Sequence, residues 1–189
     1  VNIRRIGVLA FVVCVLTLAG VAGSLYLLPR GGLDPRDPSL TLRHVEDEVD
    51  RRWGVAQVAT RDLEARVAET GAVLFDVRAE AEFAMGHLPG AVRVDPDIAI
   101  DAFYHAFGER LRGRPAIFYC SVGVRSSVLA ARLASTPAPQ APSAVFNLRG
   151  GVFRWVAEGR ELIAGRERGR LHPYDANWEQ LLFRTLAEE

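Results

Sequence analysis

The chain predicts an α/β fold, a small parallel five-stranded sheet with helices on both faces. Three observations carry that prediction. Apolar runs of four to six residues recur between stretches with helical spacing or helix-forming composition. One of them, "AVLFDV" (72–77), is continuous rather than alternating, as in strands covered on both faces. The intervals between the runs are long enough for crossovers, which is what parallel pairing requires.

Taken in order, "VAQVA" (55–59) is a short strand, and Thr60 is placed to cap a helix running to Glu69. "AVLFDV" is the second strand and "AVRV" (91–94) the third. A helix is expected over Ala102–Leu111, then the strand "AIFYC" (116–120), then a helix over Ser127–Leu133. "STPAPQAPS" (135–143) reads as a stiff Pro-rich surface loop, "AVFNL" (144–148) as the fifth strand, and Val152–Glu158 as a helix. "HPYDANWEQLLFRTLAEE" closes the sequence as a helix capped near Asp175.

The amino end differs in character. Ile6–Leu28 runs 23 residues without a charge. As a helix it is roughly 34 Å long, against a hydrocarbon core of about 30 Å. Arg4 and Arg5 precede it, so the positive-inside rule places the amino end in the cytoplasm and the rest outside. The expectation is a single-pass anchor in a bacterial inner membrane with the domain in the periplasm. The alternative is a signal peptide cleaved after "VAG", before Ser24, which also exports the domain. Cys14 lies inside this run and reads as a small apolar residue. The resulting organisation is an anchor or signal (1–29), a linker and juxtamembrane helix (30–54), the α/β domain (55–163) and a helical tail (164–189). In the juxtamembrane helix Val45, Val49 and Trp53 share a face that packs on the domain; its mixed charge argues against a membrane-surface helix.

Twenty-three basic residues balance twenty-three acidic ones, so no strong field recruits nucleic acid. Every basic residue is arginine, which excludes Schiff-base chemistry and a lysine general base. No His/Cys spacing suggests a metal site.

The most informative stretch is "IFYCSVGVRSSVLAARL" (117–133), where Cys120 stands at the seam between a strand and a helix. In open parallel sheets ligands bind beyond the carboxyl ends of the strands. A loop over Ser121, Val122, Gly123, Val124, Arg125 and Ser126 can turn its N–H groups towards the sulfur, with the helix N-terminus behind it. Gly123 permits the tight turn, and Arg125 adds a positive charge. Both favour the thiolate, the nucleophilic form. An isolated cysteine in a strand is usually inert; the loop that follows reverses that reading.

"CSVGVRS" resembles the active-site loop of rhodanese-like sulfurtransferases, C-x-x-G-x-R-S. "LFDVRAEAEFAMGHLPGAVRV" is similar to the family's D-x-R strand end and F-x-x-x-H-[I/L]-P-G-A element, and "LRGGVFRWVAEG" to its L-x-G-G-x-x-x-W-x-x-x-G element. The resemblance covers about residues 55–163 and implies a reaction that needs no metal or organic cofactor. Cys120 takes sulfane sulfur from a small donor, thiosulfate or a persulfide, and an acceptor (a thiol, cyanide or a protein) removes it. Arg125 would steady the anionic donor and the thiolate. Ser126 would hydrogen-bond in the loop or cap the helix. Asp76 and Arg78 would stand near the loop mouth as an ion pair or turn, with Glu82 as a possible partner. His87 reads as structural, Gly150 and Gly151 as sites of close backbone approach, and Trp155 as core. Thiosulfate-using relatives often carry basic residues early in the loop, where this chain has Ser121 and Val122.

Three other classes compete. A noncatalytic rhodanese-like binding module would use the same fold. A related phosphatase would need five residues between cysteine and arginine, and here there are four. A thiol–disulfide oxidoreductase would need a second cysteine, and Cys14 is expected on the wrong side of the lipid boundary.

Overall fold

The computed structural model describes residues 33–188. The expected span Ile6–Leu28 lies outside them; among the described residues no helix is long and apolar enough to cross a membrane. The chain from Pro35 onward forms one compact unit.

Helix α1 (Leu42–Trp53) starts at a capping box in which the Thr41 side chain accepts from the His44 N–H, and it ends at Gly54. Five strands follow, β1 (Ala56–Val58), β2 (Val73–Asp76), β3 (Val92–Arg93), β4 (Ala116–Tyr119) and β5 (Val145–Leu148). They form one all-parallel sheet in the order β1-β5-β4-β2-β3. The connecting helices are α2 (Leu63–Thr70), α3 (Glu80–Met85), α4 (Ile100–Leu111) and α5 (Val124–Ala134), with α6 (Gly151–Ala157) after β5. A hairpin of β6 (Ile163–Ala164) and β7 (Glu167–Arg168) leads to the last helix, α7 (Ala176–Glu188).

Side chains of β2 and β4 alternate between the two faces of the sheet. Phe75 and Phe118 stack at 5.1 Å on one face, against Phe103 and Phe107 of α4 and Leu129 and Leu133 of α5. Their neighbours Leu74 and Ile117 are buried as well, so both faces are covered. That double burial is why the strands read as continuous apolar runs. α1 buries Leu42, Val45 and Val49, and its Glu46 accepts from Arg154 Nε of α6 at 2.8 Å.

The five strands and the six helical segments expected among the described residues are present, with three corrections. Thr60 caps nothing: residues 60–62 form a 3-10 turn before α2, and the Thr60 hydroxyl donates to Glu158 at 2.5 Å. α5 begins at Val124 rather than Ser127, because Gly123 at φ +97° turns the chain early into the helix. α3 and the β6–β7 hairpin were not anticipated; six and two residues are too few for a periodic apolar signal. The cap of α7 is as expected, with Asp175 accepting from the N–H groups of Asn177 and Trp178.

Candidate active site

β4 delivers Cys120 to the carboxyl edge of the sheet, beside β2 and β5. The next residues turn at once into α5. The first intrahelical bond runs from Ser127 N–H to Gly123 C=O, so the N–H groups of 123–126 are not used by the helix. Gly123 N–H donates to Cys120 Sγ at 3.2 Å, and the neighbouring Val122 and Ser126 amides add to the stabilisation of the ionised sulfur.

α6 fixes the orientation of these amides. Its Val152 and Phe153 N–H groups donate to the Cys120 and Ser121 carbonyls at 2.9 and 3.0 Å, which ties the carbonyl side of the loop away from the sulfur. This approach requires Gly151: at φ +56°, a Cβ there would collide with the Cys120 carbonyl oxygen. The close backbone approach expected of the two glycines is present at Gly151; Gly150 instead lies against the side chains of Glu46 and Arg154.

Cys120 is 1% exposed. Burial alone pushes its pKa up, but the Arg125 charge and the hydrogen bonds from Ser126 and Val122 outweigh it, and the thiol sits below its ordinary value. The Ser126 hydroxyl has one hydrogen and two acceptors. It lies 2.6 Å from Asn147 Oδ1 on β5, and the ionised sulfur competes for the same hydrogen. Ser126 does not cap the helix; Gly123 occupies that position without a side-chain cap. Asn147 is held in turn by donating to Gln57 Oε1 of β1 at 2.8 Å.

Arg125 is not a free anion receptor. Its guanidinium makes a two-pronged pair with Glu82 of α3, both contacts 2.8 Å, and donates to Ser121 Oγ at 2.9 Å. Desolvation of Glu82 pushes its pKa up, but the Arg125 pair and the Ala79 N–H more than reverse this, keeping the carboxylate below its usual range. Glu82 therefore partners Arg125 rather than Asp76 and Arg78. Those two form their own fully buried pair, 2.6 Å at the closest, and Arg78 also donates to the Gly86 carbonyl. His87 stacks on Phe83, and its Nδ1 lies 3.0 Å from the Phe83 carbonyl; it is structural, turned to the preceding helix α3 rather than to Cys120. Trp155 is buried, with its indole N–H on the Glu161 carbonyl.

Two contributors escaped the sequence reading. Asn147 sits in a strand that gave only an apolar signal, and Tyr174, whose ring lies 4.7 Å from the Arg125 guanidinium, comes from the carboxyl-terminal segment. Neither has a spacing that points to Cys120. Among the described residues there is no group of three or more His, Cys, Asp and Glu side chains able to hold a metal ion.

The profile of the family described as "Rhodanese-like domain" matches residues 59–158. A protein named sulfurtransferase from Allochromatium vinosum is 31% identical over 111 residues, covering 58% of this chain and 96% of its own. A tRNA uridine(34) hydroxylase from Mesorhizobium japonicum is 30% identical over 105 residues, covering 53% of this chain and only 32% of its own. Among solved structures, a thiosulfate sulfurtransferase from Pseudomonas aeruginosa matches with a TM-score of 0.52 at 19% identity, over 79% of this chain and 27% of that one; this likeness bears on the fold. The matched segment contains every strand of the parallel sheet from β2 to β5 and the whole Cys120 loop, and the chain belongs to the rhodanese-like domain family.

Proposed function

We propose that the chain is a sulfurtransferase that takes sulfane sulfur from a donor, thiosulfate or a persulfide, and carries it as a persulfide on Cys120. The observation that carries this reading is the amide cradle: Gly123 N–H at 3.2 Å from a thiol whose pKa is lowered despite complete burial. The Cys120 thiolate attacks the outer sulfur of a donor such as thiosulfate. The donor S–S bond breaks, sulfite leaves with the electron pair, and Cys120 keeps the sulfur. An acceptor nucleophile, a thiol or protein in the cell and cyanide in the assay, then attacks that terminal sulfur and releases the thiolate. This is covalent two-step catalysis. The terminal sulfur of the persulfide is anionic and takes over the N–H donors of Val122, Gly123 and Ser126.

Intact-mass measurement on the full chain tests the reading. Saturating thiosulfate adds the mass of one sulfur atom, and cyanide removes it as thiocyanate. Cys120→Ser does neither while keeping the wild-type circular dichroism, since a hydroxyl near neutral pH supplies almost no anion. The near-complete burial of Cys120 is what a noncatalytic binding module would exploit. Failure of the wild type to gain sulfur from either thiosulfate or a persulfide donor gives that reading the site.

The uncharged Ile6–Leu28 run behind Arg4 and Arg5 supports a membrane-tethered enzyme with its domain in the periplasm. Protease added to spheroplasts digests such a domain. A domain protected inside intact spheroplasts refutes the placement, and a soluble product starting near Ser24 marks a cleaved signal instead.

A further inference from the structure

The loop cation is closed off on several sides. Glu82 takes one hydrogen from each terminal nitrogen of Arg125, and Ser121 takes another. Tyr174 lies over the guanidinium plane at 4.7 Å. Tyr174 comes from outside the matched domain segment, and it is held there by an unusual backbone. At φ +77° it is the one residue other than glycine with a positive φ among those described. Its N–H donates to His172 Nδ1 at 3.1 Å, and the next residue, Asp175, caps α7. Left-handed backbone at a large aromatic residue is costly and persists where the surroundings impose it. Tyr174 is 48% exposed, so burial of apolar surface is not what holds it there.

We propose that Tyr174 is a specificity-determining residue that positions and shields Arg125, narrowing the donor of the sulfurtransferase reading above to thiol-borne persulfides over small dianions. The charges give the reason. Arg125 is already paired with Glu82 and bonded to Ser121, so a donor reaching the Cys120 thiolate finds no loop cation without a partner of its own. Thiosulfate arrives with two negative charges and needs such a cation; a persulfide R–S–SH does not. In that step the Cys120 thiolate attacks the outer sulfur of R–S–SH. The S–S bond breaks, R–S⁻ leaves with the electron pair and takes up the proton as R–SH, and the transferred sulfur stays in the amide cradle as Cys120–S–S⁻. The tyrosine ring denies the dianion the guanidinium face, and its own π face satisfies that cation instead.

The test measures kcat/KM of the full chain with thiosulfate and with cysteine persulfide. The variants are Tyr174→Gly, which removes the ring and suits φ +77°, and Tyr174→Phe, which keeps the ring. Wild type prefers the persulfide. Tyr174→Gly raises the thiosulfate-to-persulfide ratio roughly two- to fivefold, the worth of an exposed cation–π contact, through the KM for thiosulfate. Tyr174→Phe restores the wild-type ratio. Equal changes with both donors, or none, overturn the proposal and leave Tyr174 a merely structural residue. If neither donor loads sulfur onto wild-type Cys120, the sulfurtransferase reading falls first and the proposal with it.

Discussion

Ser126 and Ser127 are adjacent on α5, both fully buried, and differ in one respect. The Ser126 hydroxyl lies 2.6 Å from Asn147 Oδ1 and serves the sulfur of Cys120, whereas the Ser127 hydroxyl has no hydrogen-bond partner. Replacing either by alanine removes one oxygen and adds the same helix propensity, about 0.5 kcal/mol in favour of alanine. The shared terms cancel in the difference. What remains for Ser126→Ala is a buried Asn147 oxygen left without its donor, which costs about 1–3 kcal/mol. Ser127→Ala leaves nothing orphaned and removes a desolvated hydroxyl, so it is neutral or stabilising. For a chain of this size the gap between the two variants is a Tm difference of roughly 2–12 °C. Urea unfolding of the two variants measures it directly. Iodoacetamide alkylation of Cys120 against pH supplies a second readout: Ser126→Ala moves the reactive limb to higher pH, and Ser127→Ala leaves it in place. Equal stabilities together with coincident alkylation profiles would refute the hydrogen-bond assignment on which the site rests.

Three further expectations follow the same geometry. Gly151→Ala forces a Cβ onto the Cys120 carbonyl at a φ that disfavours alanine, so sulfur loading drops at least tenfold with the helical dichroism retained; wild-type turnover would refute the amide-fixing role of α6. Arg125→Ala removes the cation that favours the thiolate and strands the buried Glu82. It moves Cys120 alkylation to higher pH and costs about 2 kcal/mol, less than a fully buried pair because Arg125 is 26% exposed; an unmoved alkylation profile would show that the arginine does not act on the sulfur. The Cys120 thiol also links stability to pH. Its folded pKa is depressed, so the unfolded chain binds more protons between the folded value and the ordinary thiol value of 9.0, and stability rises with pH across that window. The contribution is complete above the ordinary value and is lost as pH falls through the folded one. Denaturant midpoints of wild type against Cys120→Ser show the rise in the first only.

The sheet and the cysteine loop were legible for the same reason. A strand buried on both faces must be apolar throughout, and Cys120 stands where that run meets "SVGVRS". Gly123 was legible because only glycine turns at φ +97° without strain. What escaped the sequence was pairing across long separations. Glu82 and Arg125 lie 43 residues apart, and nothing local to either says that it partners the other in preference to Arg78. Ser126 looked like a cap because serine favours that position next to a helix. The early turn at Gly123 carries Ser126 into the first helical turn, where its hydroxyl faces β5. Tyr174 was illegible because its place depends on a backbone conformation that tyrosine does not prefer.

The order of the strands has a colloidal consequence. Both rims of the sheet are formed by its shortest members, three residues in β1 and two in β3, while the four-residue strands lie inside. A rim of two or three residues offers another chain few unpaired N–H and C=O groups, and Arg93 puts a charge on one of them. Growth by strand addition, the usual hazard of an open sheet, has little template here. Crowding many copies together therefore does not by itself zip their sheets into fibres.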